Sequence, residues 1–245
     1  MPIFTTPISN QNTATAGGVK GYPQLSDLFA GCIIKDEFSR TTLMPSGSYT
    51  LYTTTAATSG TATIVAHKNL RLTTAATGND YVTITTTGQC FPRASRSPDT
   101  DPRSTLTLEI IFNPTQATAC KGFIGFTSSA TALTALPTTA EHIGLFYDTT
   151  GTGNYMLSYA NGSAQTTSDT GVAISTNIVD MQIIWNSATT ATINFYNSSG
   201  TLVKSLSAVS FFADSFESPI LQFISIATTT TAASLDIEEW SVKCT

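Results

Sequence analysis

The stretch between Gly153 and Ala208 constrains the fold more than any other part of this chain. Apolar and polar residues alternate along it, and small turn residues separate the alternating runs. The runs are Tyr155–Tyr159, Val179–Trp185 and Thr192–Val203. Because successive side chains of a strand point to opposite sides, this pattern predicts a sheet with one buried and one solvated face.

Similar short runs recur along most of the sequence. The predicted strands are Ser48–Thr53, Ala62–His67, Leu70–Thr74, Tyr81–Thr86, Thr105–Phe112, Gly122–Phe126, Ile143–Tyr147, Tyr155–Tyr159, Val179–Trp185, Thr192–Tyr196, Leu202–Leu206, Leu221–Ile226 and Ser234–Val242. Short strands at this spacing are typical of an antiparallel sandwich or barrel. The density of Pro, Gly and Thr leaves little room for helix.

Three local features refine the prediction. Asn161-Gly162 predicts a type I′ turn, in which both central residues need positive φ. The segment 197–200 (Asn-Ser-Ser-Gly) predicts a four-residue hairpin loop. In the last strand Leu235 and Trp240 have opposite parity, so a bulge near residues 238–239 is needed to bring both to the core.

The first 31 residues differ from the rest, because they carry Pro2, Pro7 and Pro23 and show no strand or helix period. We therefore predict two parts, an extended N-terminal arm at 1–31 and a β-sandwich at 32–245. The chain begins with Met1 and shows no charged region followed by an apolar core, so a secretory signal is not expected.

Composition excludes several classes of partner. The 245 residues carry a formal net charge of -5, and 11% of them are charged. The sequence has no Lys/Arg-rich stripe for a nucleic acid and no apolar run long enough for a membrane span. Thr makes up about a fifth of the chain, well above ordinary usage, and suits strands with neutral outer faces.

The four cysteines, Cys32, Cys90, Cys120 and Cys244, are widely spaced and contain no Cys-x-x-Cys pair. A zinc site is therefore not expected, and reduced thiols are favoured in an intracellular protein. Cys32 and Cys244 would approach each other if the first and last strands paired, which the sequence leaves open.

Three segments resemble the concanavalin A-like or laminin-G-like sandwich of lectins, glucanases and phage virion structural proteins. Residues 33–40 resemble its opening segment, residues 104–112 an internal strand, and residues 235–242 the closing strand. The resemblance implies an all-β fold, an antiparallel two-sheet jelly-roll sandwich. It does not choose among the functions that this fold supports.

Catalysis is not expected. Glycoside hydrolysis needs two carboxylates at a fixed separation, and Glu109 has no second acid beside it on its strand. Asp236 and Glu238 are two residues apart on the closing strand, but the glucanase-type motif is missing. His67 and His142 accompany no nucleophile motif, and we interpret each as a surface or strand-end side chain.

Binding residues are weaker candidates. Tyr147, Tyr155 and Tyr159 flank predicted loops, where an aromatic ring can stack on a sugar, although each also fits a packed strand position. The segment 91–104 carries Arg93, Arg96 and Arg103 and is predicted to be a surface loop that contacts an acidic neighbour.

No cofactor is expected. Calcium is the one ion kept open, since lectin-type sandwiches hold it with loop oxygens. The candidate ligands are Asp148, Asn154, Asp169 and Asp180, although none forms a local Asp-x-Asp-x loop.

The sequence favours a structural protein of a virus or phage particle, such as a capsid decoration protein or a capsid- or tail-associated protein. Its expected partners are other virion proteins such as the major capsid protein, and further copies of itself, with a trimer as one arrangement. It would be assembled in the host cytoplasm and reside in the virion. The alternative is a lectin-like module that binds a host glycan.

Overall fold

The computed structural model describes residues 33–36, 52–66, 69–86, 106–128, 131–186, 190–210 and 220–244. Within these ranges the regular elements are all strands. They are β1 Ile33–Asp36, β2 Tyr52–Ala56, β3 Thr61–Val65, β4 Asn69–Thr73, β5 Tyr81–Thr86, β6 Leu106–Pro114, β7 Cys120–Thr127, β8 His142–Asp148, β9 Asn154–Ala160, β10 Thr166–Ala173, β11 Val179–Trp185, β12 Thr190–Tyr196, β13 Leu202–Ser210, β14 Ile220–Ala227 and β15 Ser234–Cys244.

The strands form two sheets. Sheet A has the order β13-β12-β11-β6-β15-β4-β3, with β1 also paired to β15, and sheet B has the order β10-β9-β8-β7-β14-β5-β2. The pairs are antiparallel, and a continuous apolar core joins the two sheets. This confirms the predicted all-β sandwich. In the described ranges no helix is long and apolar enough to cross a membrane.

The alternation that predicted the sandwich defines its core. Along β11 the residues Val179, Met181, Ile183 and Trp185 are buried, and the residues between them are half-buried on the outer face. Burying such side chains supplies most of the stabilisation of a sandwich, roughly 1.5–3 kcal/mol for each large apolar residue.

The bulge predicted in the closing strand is confirmed. The register of β15 against β6 shifts between Ile237 and Glu239. The shift brings Leu235, Ile237 and Trp240 to the core despite their mixed parity. Trp240 then donates its indole N–H to the Tyr52 hydroxyl at 2.7 Å, which ties sheet A to sheet B.

The two predicted hairpin turns differ in outcome. The turn at 197–200 is confirmed, since Asn197 N–H donates to the Thr201 carbonyl and Gly200 has φ +71°. A turn also occurs at Asn161-Gly162, but the type I′ prediction is wrong. Only Gly162 has positive φ there (+86°), and five residues rather than two join β9 to β10.

The strand β10 was absent from the sequence prediction. β10 is an edge strand of sheet B with mostly exposed side chains, and its register shifts between Asp169 and Ala173. Such a strand needs no apolar alternation, so its Thr-Thr-Ser-Asp-Thr-Gly sequence looks like a loop.

The first and last strands do pair, with Ile33 opposite Lys243. The predicted arm at 1–31, and the cysteine pair that this pairing would bring together, lie outside the residues whose side chains are described. Cys120 is described: it is buried, and its thiol is free. Burial, with a smaller contribution from Asp148, raises the pKa of that thiol to about 11.

An unusual polar contact lies in the core face of sheet B. Tyr147, Gly122 and Ser225 occupy one register row across β8, β7 and β14. Gly122 is required there, because a Cβ at this position would lie 2.6 Å from the Tyr147 hydroxyl. The hydroxyls of Tyr147 and Ser225 are buried and face each other in this row, but they form no hydrogen bond of regular geometry.

Two tyrosine substitutions should therefore have opposite effects. We expect Tyr147→Phe to leave the free energy of unfolding unchanged or to raise it by up to about 1 kcal/mol, because it removes a buried hydroxyl that forms no hydrogen bond of regular geometry. Tyr155→Phe is the matched control: its hydroxyl donates to the Ser175 carbonyl at 3.1 Å. Its loss should cost about 0.5–1.5 kcal/mol in urea unfolding. A larger loss for Tyr147→Phe than for Tyr155→Phe would contradict this reading of the core.

Candidate functional site

The outer face of sheet B is the candidate site, and the chain itself covers it. The connection between β7 and β8 lies over this face along residues 131–141, which we call the cover segment. Leu133 and Leu136 of the cover segment pack on the outward-facing residues Phe123, Ile224 and Ile226. These three strand residues are buried although they point away from the main core.

Gln222 of β14 anchors one end of the cover segment. Its side chain is fully buried, and its Nε2 donates to the Thr131 carbonyl at 3.1 Å and to Thr127 Oγ1 at 2.7 Å. Its Oε1 accepts from the Leu133 N–H at 3.0 Å. The Leu133 carbonyl accepts in turn from the Thr83 hydroxyl of β5. At this end the backbone of the cover segment is thus bonded to two strands of sheet B, β14 and β5.

His142, the first residue of β8, anchors the other end. Its Nδ1 lies 2.7 Å from the Ala140 carbonyl and its Nε2 lies 2.7 Å from Ser158 Oγ. Gln165 Nε2 donates to the same Ser158 oxygen at 2.9 Å and to the Pro137 carbonyl at 3.1 Å. Burial lowers the pKa of the His142 imidazole below its ordinary value, against a smaller opposing effect of the Ala140 carbonyl.

Two glycines let the face lie flat beneath the cover segment. Gly125 and Gly144 are register partners on β7 and β8. The Phe123 ring lies across both of them and meets the His142 ring edge-on at 5.7 Å. A Cβ at either glycine would lie within 2.3 Å of a backbone carbonyl oxygen, of Ile143 or Ile124 respectively.

The outer face of sheet A is also polar, and it carries the acids considered for catalysis. Gln182 donates to Glu109 at 3.2 Å and accepts from the Tyr196 hydroxyl at 3.0 Å. Arg71 forms a bidentate ion pair with Asp236, with N–O distances of 2.7 and 2.6 Å. The Asp236 side chain is 5% exposed, so a charge-assisted pair neutralises it.

The three acids considered for catalysis have different surroundings. Asp236 is bound to Arg71, and Glu238 lies at the bulge where β15 leaves regular register. Glu109 lies on the neighbouring strand and accepts from an amide. Glu109 and Asp236 therefore each join two neighbouring strands of sheet A.

The aromatic candidates lie elsewhere than expected. Tyr147 and Tyr155 are buried in the main core, where Tyr155 packs against Phe112 and Phe195. Neither ring offers a surface for a sugar. Tyr159 is half-buried against the same core. The other sequence candidates Arg93, Arg96, Arg103 and His67 lie outside the described residues.

His142 does begin a strand, as predicted, but it is not at the surface: it is completely buried. The alternation of β8 places it on the outer face, and only the cover segment removes that face from water. Sequence reasoning missed this role, and it missed Gln222 for the same reason.

Among the calcium candidates only two come together. Asn154 Nδ2 donates to both Asp169 carboxylate oxygens at 3.0 and 3.1 Å. The Gly171 N–H, and secondarily Asn154, lower the pKa of Asp169. Asp148 caps its own turn through Thr150, and Asp180 lies on β11. The described residues contain no cluster of three or more His, Cys, Asp or Glu side chains placed to hold a metal.

Comparison with known proteins identifies the architecture. No protein-family model and no curated protein matches the sequence. Among solved structures, peanut lectin with a bound 9mer peptide has a TM-score of 0.61 at 13% identity, over 89% of this chain and 98% of the lectin. The fold is the concanavalin A-like sandwich of lectins and glucanases.

Two further structures extend the comparison. A protein of unknown function from Shewanella oneidensis MR-1 aligns over 100% of this chain and 96% of its own, with 16% identity and a TM-score of 0.58. A pseudo beta-1,3-glucanase of Mycobacterium tuberculosis aligns over 86% of this chain and 98% of its own, with 12% identity and a TM-score of 0.58. At this identity the likeness shows the fold alone.

Proposed function

We propose that the protein is a structural component of a virus or phage particle, either a capsid decoration protein or a capsid- or tail-associated protein. In this role the sandwich is a rigid, non-catalytic body. Residues 1–31 and contacts between copies attach it to its neighbours, of which the major capsid protein is the expected one.

The main support for a non-catalytic role is that the cover segment lies over the outer face of sheet B. A site that binds a substrate or a sugar needs a concave surface with accessible polar groups. Here the polar groups of that face, those of Gln222, His142 and Ser158, are buried and bonded within the chain. Their hydrogen bonds hold the cover segment over this face, so these three groups are not available to a ligand.

The buried carboxylates also favour a structural role. The buried Asp236 is paired with Arg71, and the buried Asp80 accepts from Thr58 and from the Ala75 N–H. Carboxylates that bond loops and strands in this way stabilise the sandwich and take no part in catalysis. Neutral Thr-rich faces also suit close contacts between copies, since few ions must lose their hydration there.

Particle incorporation tests the proposal. The full chain and a variant lacking residues 1–31 would each be produced in host cells during particle assembly. Purified particles would then be analysed by quantitative mass spectrometry. We expect the full chain at a fixed copy number per particle, and at least a tenfold lower amount of the truncated chain. Circular dichroism of both purified proteins should show the same β-sheet spectrum.

Two results would count against it in different ways. Equal incorporation of both chains would refute the role of the arm and leave the particle assignment standing. Absence of the full chain from particles would refute the assignment itself. Specific binding of the full chain on a broad glycan array would then favour the lectin-like alternative.

A further inference from the structure

The hydrogen atoms of the His142 anchor are fixed by its partners. The Ala140 carbonyl can only accept, so Nδ1 of His142 carries a hydrogen. In the neutral ring Nε2 then accepts, and its donor is the Ser158 hydroxyl. The Ser158 oxygen accepts from Gln165, whose second amide hydrogen goes to the Pro137 carbonyl. The neutral ring thus matches each donor in this network to an acceptor.

A second proton on the ring breaks this match. Protonated Nε2 becomes a donor and faces a hydroxyl that already donates toward it, so the Ser158 hydrogen must leave the contact. The resulting imidazolium is fully buried. Burying a charge without an opposite charge beside it is costly.

Among the described residues, no carboxylate is one of the groups that shift the pKa of His142. The cover segment contains one ionisable residue, Glu141. Its side chain lies beside Gly162, in the connection between β9 and β10. The ionisable residues of β9, Tyr155 and Tyr159, face the main core. On β7, Lys121 pairs in register with Asp148 at the opposite end of β8. Residues 161–165 contain no ionisable side chain.

The carbonyl groups that the anchor holds both belong to the cover segment. Ala140 is bonded to His142 and Pro137 to Gln165. The cover segment has no helix or strand of its own. Gln222 and Thr83 also bond its backbone, two of its leucines pack on the sheet, and the Glu141 carbonyl accepts from the Ser128 N–H at 3.3 Å. Loss of the His142 anchor therefore removes two of the five side-chain hydrogen bonds that hold the backbone of this eleven-residue loop to the sheet.

We propose that the cover segment is an acid-released flap, in which protonation of His142 detaches residues 131–141 from sheet B and uncovers Phe123, Ile224 and Ile226. This pH-dependent release goes beyond the proposed structural role and does not depend on it. Its direction follows from burial, because the ring binds a proton more readily when it is exposed. The lowered pKa of His142 in the closed state agrees with this direction.

Amide hydrogen exchange by NMR tests the flap in the full chain. The Leu133 N–H reports the flap, and the Ile183 N–H of β11 reports global unfolding. After correction for intrinsic exchange rates, we expect the protection factor of Leu133 to fall roughly tenfold or more between pH 7 and pH 5. Ile183 should lose much less. The fall should begin as the pH drops through the ordinary pKa of an exposed imidazole, because protonation of the open state drives release, whereas the buried ring of the closed state takes up its proton at lower pH.

His142→Gln removes the titrating group and should abolish the pH dependence of Leu133 protection. Constant protection of Leu133 in the wild-type protein would overturn the proposal, as would a loss shared equally with Ile183. If His142→Gln does not fold, the wild-type data decide: a loss of Leu133 protection that sets in only well below the ordinary pKa of an exposed imidazole also overturns the proposal.

Discussion

Gly144→Ala is expected to destabilise the protein by at least about 3 kcal/mol, or to prevent folding. The new Cβ would lie 2.2 Å from the Ile124 carbonyl oxygen and 2.8 Å from the Gly125 Cα. Both are backbone atoms of the neighbouring strand, so no side-chain rotation relieves the clash. Separating β7 from β8 would instead disturb the centre of sheet B. Urea unfolding, followed by the fluorescence of the buried Trp185 and Trp240, measures the loss.

Gly78→Ala is the matched control for this substitution. A Cβ at Gly78 would lie 3.8 Å from its nearest neighbour, the Thr229 carbonyl oxygen, which is ordinary contact. Its free energy of unfolding should change by less than about 0.5 kcal/mol. A Gly144→Ala protein as stable as the Gly78→Ala protein would show that β7 and β8 are not as closely apposed as described.

Gln222→Leu is expected to cost about 2–4 kcal/mol, the second largest effect. Leucine has a similar size but leaves the Thr131 carbonyl, the Leu133 N–H and the Thr127 hydroxyl without their bonds. These groups must then stay unpaired or move to water, and the cover segment leaves sheet B if they do. Urea unfolding gives the cost.

The control for Gln222 is Gln182→Leu on the other sheet. Gln182 also bonds through both ends of its amide, to Glu109 and Tyr196. It is half-buried on the outer face of sheet A, where water can replace the lost bonds, so we expect a cost below about 1 kcal/mol. Similar costs for the two variants would mean that the outer face of sheet B is open to water.

The sandwich was predictable because its core follows a strict alternation. The run Val179–Trp185 fixed both the strand and its buried face, and the parity change before Trp240 fixed a bulge. β10 was not predictable, because an exposed edge strand has no buried face to mark. The burial of Tyr147 and Tyr155 was also open, since a tyrosine suits a core and a binding surface equally well.

The cover segment could not be derived from the alternation. Gln222 and His142 occupy outward positions of their strands, and a polar residue there fits solvent as well as a covering loop. One signal was present: Ile220–Ala227 is nearly continuously apolar, and all eight of its residues are buried. A strand of this composition is typical of a sheet covered on both faces.

The exchange rate of the Leu133 amide at neutral pH tests most directly whether the chain closes its own sheet face. In the wild-type protein we expect the Leu133 amide to exchange at least roughly a hundredfold more slowly than in an unstructured peptide. We expect this protection to be lost in Gln222→Leu. If Leu133 of the wild-type protein exchanges as fast as in an unstructured peptide, the cover segment does not close the outer face of sheet B, and the central claim is wrong.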